Sequence, residues 1–166
     1  MHEKQADNAF RADDFAQSRR KYEKALNRIE AAENLEATLP YVNNHTMRRG
    51  IGDFEGYSTR EVLVVFRLRL RASLAATCLR LGGFKTVCDW ADAATAPDNK
   101  YWDEEKECLQ YYSPKDHIKA YYSKAIALEQ MGDVDEAIQA LMLARTHNRH
   151  HQEVRKKLID LVTCQK

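Results

Sequence analysis

Arg67, Arg69 and Arg71 alternate with Leu68 and Leu70, and Ser73 and Arg80 follow in the same segment. Farther along, Lys119, Ser123 and Lys124 form a second polar set. Guanidinium and ammonium groups that share a surface with hydroxyls are suited to holding carboxylates by charge-assisted hydrogen bonds. A third set, Arg145, His147, Arg149, His150, His151, Arg155, Lys156 and Lys157, would attract an acidic partner. It would equally complement the negative end of a helix and a solvated helix face. Catalytic patterns are missing: there is no glycine-rich phosphate loop and no nucleophile motif with an assigned base. Asp103-Glu104-Glu105 is a charge run of the kind found on solvated faces. Cys108, His117 and the later histidines lack the spacing of a zinc site, so neither metal nor cofactor is expected.

The elements that carry these residues follow from composition and periodicity. At 166 residues the chain suits one domain, 1–166. Its charge of +1, from 31% charged residues, gives no general attraction for nucleic acid or an anionic membrane. No apolar run approaches the ~18–20 residues of a membrane span, and the first residues carry no signal-peptide pattern. The cysteines (78, 88, 108 and 164) have no paired spacing; Cys78 and Cys88 sit among apolar neighbours as small hydrophobes. A reducing cytoplasm fits this usage. Three prolines and six glycines argue against a turn-rich β fold and for an all-α chain.

Helical hairpins recur along the sequence. The first runs over about 2–33, with Ala6, Ala9 and Phe10 on one helix, a turn at Asp13-Asp14, and Ser18, Tyr22, Ala25, Leu26 and Ile29 on the inner face of the second. Residues 34–57, with Pro40, Asn43-Asn44 and glycines, read as a loop. The second hairpin spans about 58–97: a capping box at Ser58 to Glu61, a helix to Leu81, a break at Gly82-Gly83, and a partner helix from Phe84 with Val87, Ala91 and Ala94 facing in. The arginine alternation would suit a strand, but the flanking pattern favours helix. Residues 98–112, with Tyr101, Trp102, Tyr111 and Tyr112, read as an aromatic-rich insert or a helical extension. The third hairpin spans about 113–148, opening on Ser113-Pro114, and one of Tyr121 and Tyr122 should pack inward. A last helix over 150–164, with Val154, Leu158, Leu161 and Val162, would cover the end of the stack.

Two runs carry a family resemblance. Ser73-Leu-Ala-Ala-Thr-Cys-Leu-Arg-Leu-Gly-Gly-Phe84 is a small-residue helix, a glycine break and an aromatic opening the next helix. The plan returns at Ala120 to Val134 and continues into Ala137, Leu141 and Ala144. With small residues also at Ala75, Val87, Ala94 and Ala125, and more weakly at Ala6, Ser18 and Ala25, the chain resembles a tetratricopeptide-repeat (TPR) protein: three helix-turn-helix repeats and a capping helix, an α-solenoid. Its long inter-repeat loop and the ending Lys157 to Lys166 are similar to the TPR domains of co-chaperones and large immunophilins. That resemblance implies a groove holding the acidic C-terminal tails of heat-shock chaperones through a clamp of lysines, asparagines and an arginine; if the complete protein is an immunophilin, its isomerase domain is absent from this chain.

Carried over residue by residue, the clamp lysine of the third repeat matches Lys119, the clamp arginine falls on Ser123, and the second-repeat asparagine falls on Ser73. In the first repeat, counting back from Phe15 without a gap reaches Glu3 and Asp7; a turn one residue shorter brings Lys4 and Asn8 to those positions. Serine in place of arginine loses both charge and fork geometry. Each hydrogen bond to a charged group so lost is worth roughly 1.5–3 kcal/mol. Arg69 and Arg80, on the helix of Ser73, are placed to compensate, as are Lys119 and Lys124. The expected peptide-binding set is therefore Lys4, Asn8, Ser73, Arg80, Lys119 and Ser123. The expected function is a non-enzymatic adaptor for a protein or peptide partner; the alternative is an assembly module that docks to a folded partner or to itself.

Overall fold

The computed structural model describes residues 2–38, 59–96 and 114–164, and every regular element among them is an α-helix. In chain order these are α1 (His2–Arg11), α2 (Phe15–Thr38), α3 (Thr59–Arg80), α4 (Phe84–Thr95), α5 (Pro114–Met131), α6 (Val134–His147) and α7 (Gln152–Cys164). The arginine alternation around Arg69 lies within helix α3. Residues 34–38, expected in a loop, belong to α2 instead. The run Leu35-Glu36-Ala37 offers good helix formers, and the first proline comes only at position 40. The aromatic insert and the two serine caps, Ser58 and Ser113, lie outside the described residues.

Three turns close the hairpins in one way. Asp13 N–H reaches Phe10 C=O at 3.1 Å and Asp14 N–H reaches Ala9 C=O at 2.9 Å. Gly82 and Gly83 make the same pair of bonds to Leu79 and Cys78, and Gly132 and Asp133 to Glu129 and Leu128. This is the Schellman closure, which satisfies the last carbonyls of a helix and needs a left-handed residue at its hinge. The hinge residues are Asp13 (φ 59°), Gly82 (φ 75°) and Gly132 (φ 92°). In the first turn Asp14 also caps α2, accepting a 3.0 Å bond from Gln17 N–H.

Neighbouring helices pack in sequence, and α5 also meets both α3 and α4. The core falls into three clusters that share helices. Ala6, Tyr22, Leu26, Leu70 and Leu74 join α1, α2 and α3. Ala72, Ala75, Cys78, Val87, Ala91, Ala94, Ala120 and Ala127 join α3, α4 and α5. Ile118, Leu128, Ala137, Leu141, Ala144, Val154 and Leu161 join α5, α6 and α7. Alanine dominates the middle cluster because helices that touch on two sides must approach closely, and a larger side chain would push their backbones apart. Buried Ser18 serves the same packing in the first hairpin, and its hydroxyl donates to Ala6 C=O at 3.1 Å.

A groove between alternate helices

On one side of the stack a groove of about 670 Å³ opens between α3, α5 and α7, with Phe10 of α1 at its edge. α3 contributes Ala76, Leu79 and Arg80, and Phe84 comes from the start of α4. α5 supplies half of the lining: Lys115, Ile118, Lys119, Tyr122, Ser123, Ile126 and Gln130. His151, just before α7, and Glu153 of α7 close it. The recurrence of three and four along α5 explains the array, since residues so spaced lie on one helix face. Ser123 is buried there, while Lys119, Lys115 and Arg80 are exposed.

Lys119 and Ser73 meet across α3 and α5: Lys119 Nζ donates to Ser73 Oγ at 2.9 Å. Lys119 is exposed as a residue, yet its ammonium end is drawn back onto α3 and loses water there. That desolvation lowers its pKa, against the opposing pull of Asp116, Asp7 and Glu3. A second cation, Arg69, lies one turn away. Its Nε is 3.5 Å from Asp116 Oδ2, its Nη1 3.9 Å from Glu3 Oε1, and its guanidinium lies 5.4 Å from the Phe66 ring centre. Burial raises the Glu3 pKa despite the nearby Arg69. Asp7 accepts a bond from the Tyr22 hydroxyl, whose pKa is raised by burial first and by that bond second. Two cations thus sit among three carboxylates.

The first turn has the same length and bonding as the other two. On α1, Glu3 reaches Arg69 and Asp7 acts on Lys119. Lys4 and Asn8 lie exposed on α1, and the α1 residue that lines the groove is Phe10. Two further cations of α3 and α5 are engaged elsewhere. Lys124 pairs with Asp92 of α4. Arg71 donates to Ala93 C=O at 2.9 Å and pairs with Glu30 at 3.2 Å, tying α2, α3 and α4 together. Arg80 lies 5.9 Å from the Phe15 ring centre.

Sequence reasoning missed one pair. His147, read as part of a basic zone at a helix end, stacks on His117 with ring centres 4.5 Å apart and planes 3° from parallel; Tyr121 stacks on His147 at 5.9 Å. Burial first and His147 second bring the His117 pKa down to about 4, against the opposing pull of Asp116. His147 is lowered by burial as well. No local pattern could announce this pairing, because the two rings come from different helices. Of the two tyrosines, Tyr121 packs on His147 and Tyr122 lines the groove. His151 does not act as a surface charge alone: its Nδ1 accepts from Val154 N–H at 3.5 Å at the start of α7.

Among the described residues no cluster of histidine, cysteine and carboxylate groups is arranged to hold a metal ion. No helix there is long and apolar enough to cross a membrane. Compared with known proteins, the chain matches no family model and has no significant match among curated sequences.

Proposed function

We propose that the chain is a non-enzymatic, cytoplasmic adaptor of the TPR type, and that the groove between α3, α5 and α7 binds a polypeptide segment of a partner. The groove carries this reading: it is long, open and apolar-floored, with cations along it. Such a surface suits a chain of side chains better than a small substrate. The TPR part of the proposal draws support from the three equivalent turns and from the burial of Ala6, Ser18, Ala75, Val87, Ala94, Ala125, Ala137 and Ala144 at matched positions, with Ala25 half-buried.

The test is a tiled peptide array probed with labelled protein, repeated with Ile126→Glu, which puts a charge on the groove floor. Wild type should retain a subset of peptides and the variant should lose them. If the wild type retains none, the reading fails. The narrower form, a carboxylate clamp on an acidic chaperone tail, is opposed by Glu3, Asp7 and Asp116 around Lys119. Titrating such a tail peptide against wild type and Lys119→Ala examines it directly.

A second reading, an assembly module, is favoured by Met142 and Leu143 of α6 and Ile159 and Val162 of α7, which are large, apolar and exposed. Light scattering over a concentration series separates the two: a mass that stays monomeric removes self-association, and a dimer lost in Ile159→Lys supports it.

A further inference from the structure

Granting that the groove holds a polypeptide, we infer that it recognises an internal segment by side chains, acidic residues flanking bulky apolar ones, and not a free chain terminus. A terminal carboxylate would have to be held at Lys119. There the ammonium already donates to Ser73 Oγ at 2.9 Å, and Glu3, Asp7 and Asp116 all act on it. Arg69 beside it is engaged by Asp116 and Glu3. An arriving carboxylate would displace the Ser73 contact and meet three like charges for two cations, so it gains little there.

The ends of the groove are different. Lys115 and Arg80 make no ion pair among the described residues, and Glu153 is the one acid in the lining. Their separation follows from register. Arg69 meets Asp116 and Ser73 meets Lys119, so α3 and α5 run side by side in the same direction. Arg80, two turns beyond Ser73, therefore lies beside the Ile126 turn of α5, roughly 16 Å along the axis from Lys115 at 1.5 Å per residue. Between them lie Leu79, Ile118, Tyr122 and Ile126. An extended chain covers that distance in about five residues. The matching ligand carries two carboxylate side chains about five residues apart with leucine- or phenylalanine-like side chains between them. Charge complementarity at the ends and apolar burial in the middle set both composition and spacing.

The experiment uses three fluorescein-labelled synthetic peptides against the full chain, read by fluorescence anisotropy. The first has two aspartates five residues apart, leucine and phenylalanine between them, and an amidated C-terminus. The second is identical but ends in a free carboxylate, and the third replaces the aspartates by lysines. The first two should bind within about twofold of each other and the third at least tenfold more weakly. Arg80→Ala should weaken the first by about tenfold, the size of one hydrogen bond to a charged group, and Lys119→Ala by less than about threefold. A free-carboxylate peptide that binds tenfold tighter than the amide, with that gain lost in Lys119→Ala, overturns side-chain recognition and leaves the groove proposal standing. Groove-dependent array peptides that are not acidic also overturn it alone. Failure of every synthetic and array peptide overturns both.

Discussion

His117 shows how one side chain links packing to solution behaviour. The ring is buried against His147 and near Tyr121, and its Nδ1 has no hydrogen-bond partner among the described residues. A neutral ring tolerates that site; a charged one loses water and faces a second imidazole. With the folded pKa near 4, below the ordinary value, the unfolded chain takes up the proton first. The contribution to stability is therefore complete above about pH 6.5 and is lost as pH falls toward 4. Moving from pH 7.5 to pH 5 should cost about 2 kcal/mol from this group, with His147 adding in the same direction. Urea unfolding at the two pH values checks it, and His117→Phe should remove most of the difference. An unchanged difference in that variant would place the pH response elsewhere. The Cys78 thiol is a simpler case: buried, and held protonated by that burial. Neither behaviour follows from residue type alone, since each depends on what lies above the side chain.

The turns are where elements were most legible. Gly82-Gly83, Gly132-Asp133 and Asp13-Asp14 all punctuate the helical period, and each precedes a helix opening on Phe84, Val134 or Phe15. What the string could not say was whether the first turn was a residue short; the shared Schellman bonds answer that. A left-handed backbone costs an L-residue roughly 1–2 kcal/mol, less for aspartate, and costs glycine nothing. Asp13→Gly should therefore stabilise the chain by about 0.5 kcal/mol. Gly132→Ala should destabilise it by about 1 kcal/mol through conformation alone, since an added Cβ there meets no atom within 4 Å. Denaturant midpoints of the two variants should move in opposite directions; a common direction would mean that the hinge geometry is not the controlling factor. The end of α2 was misread because Pro40, Asn43-Asn44 and the glycines marked the whole stretch as loop, while helix propensity continues through Ala37.

Across the whole molecule, stability is shared between clusters that hold helices in common, so no hairpin keeps its apolar face covered by itself. α7 illustrates the point. Val154 and Leu161 are buried against the α5–α6 pair, in the same cluster as Leu141 and Ala144. A chain ending at Asn148 should lose that cover, melt several degrees lower and bind a hydrophobic dye, with α1–α4 least affected. Thermal unfolding followed by circular dichroism, with dye fluorescence alongside, measures both effects. A shortened chain that melts like the parent would make α7 an appendage instead of a cover. The ion pairs Lys124–Asp92 and Lys157–Glu129 add ties between elements, but such pairs in contact with water are worth only about 0–1 kcal/mol each.

Helical class, hairpin order and the positions that must stay small were written in the sequence, because periodicity, turn residues and side-chain size act over a few neighbours. The electrostatic character of the groove was not. Lys119 reads as a free cation until α1 and α3 bring Glu3, Asp7 and Ser73 to it, and nothing in the sequence joins His117 to His147 until α6 lays one ring against the other. Coulomb and solvation energies depend on distance in space, and only the packing of helices distant along the chain sets those distances.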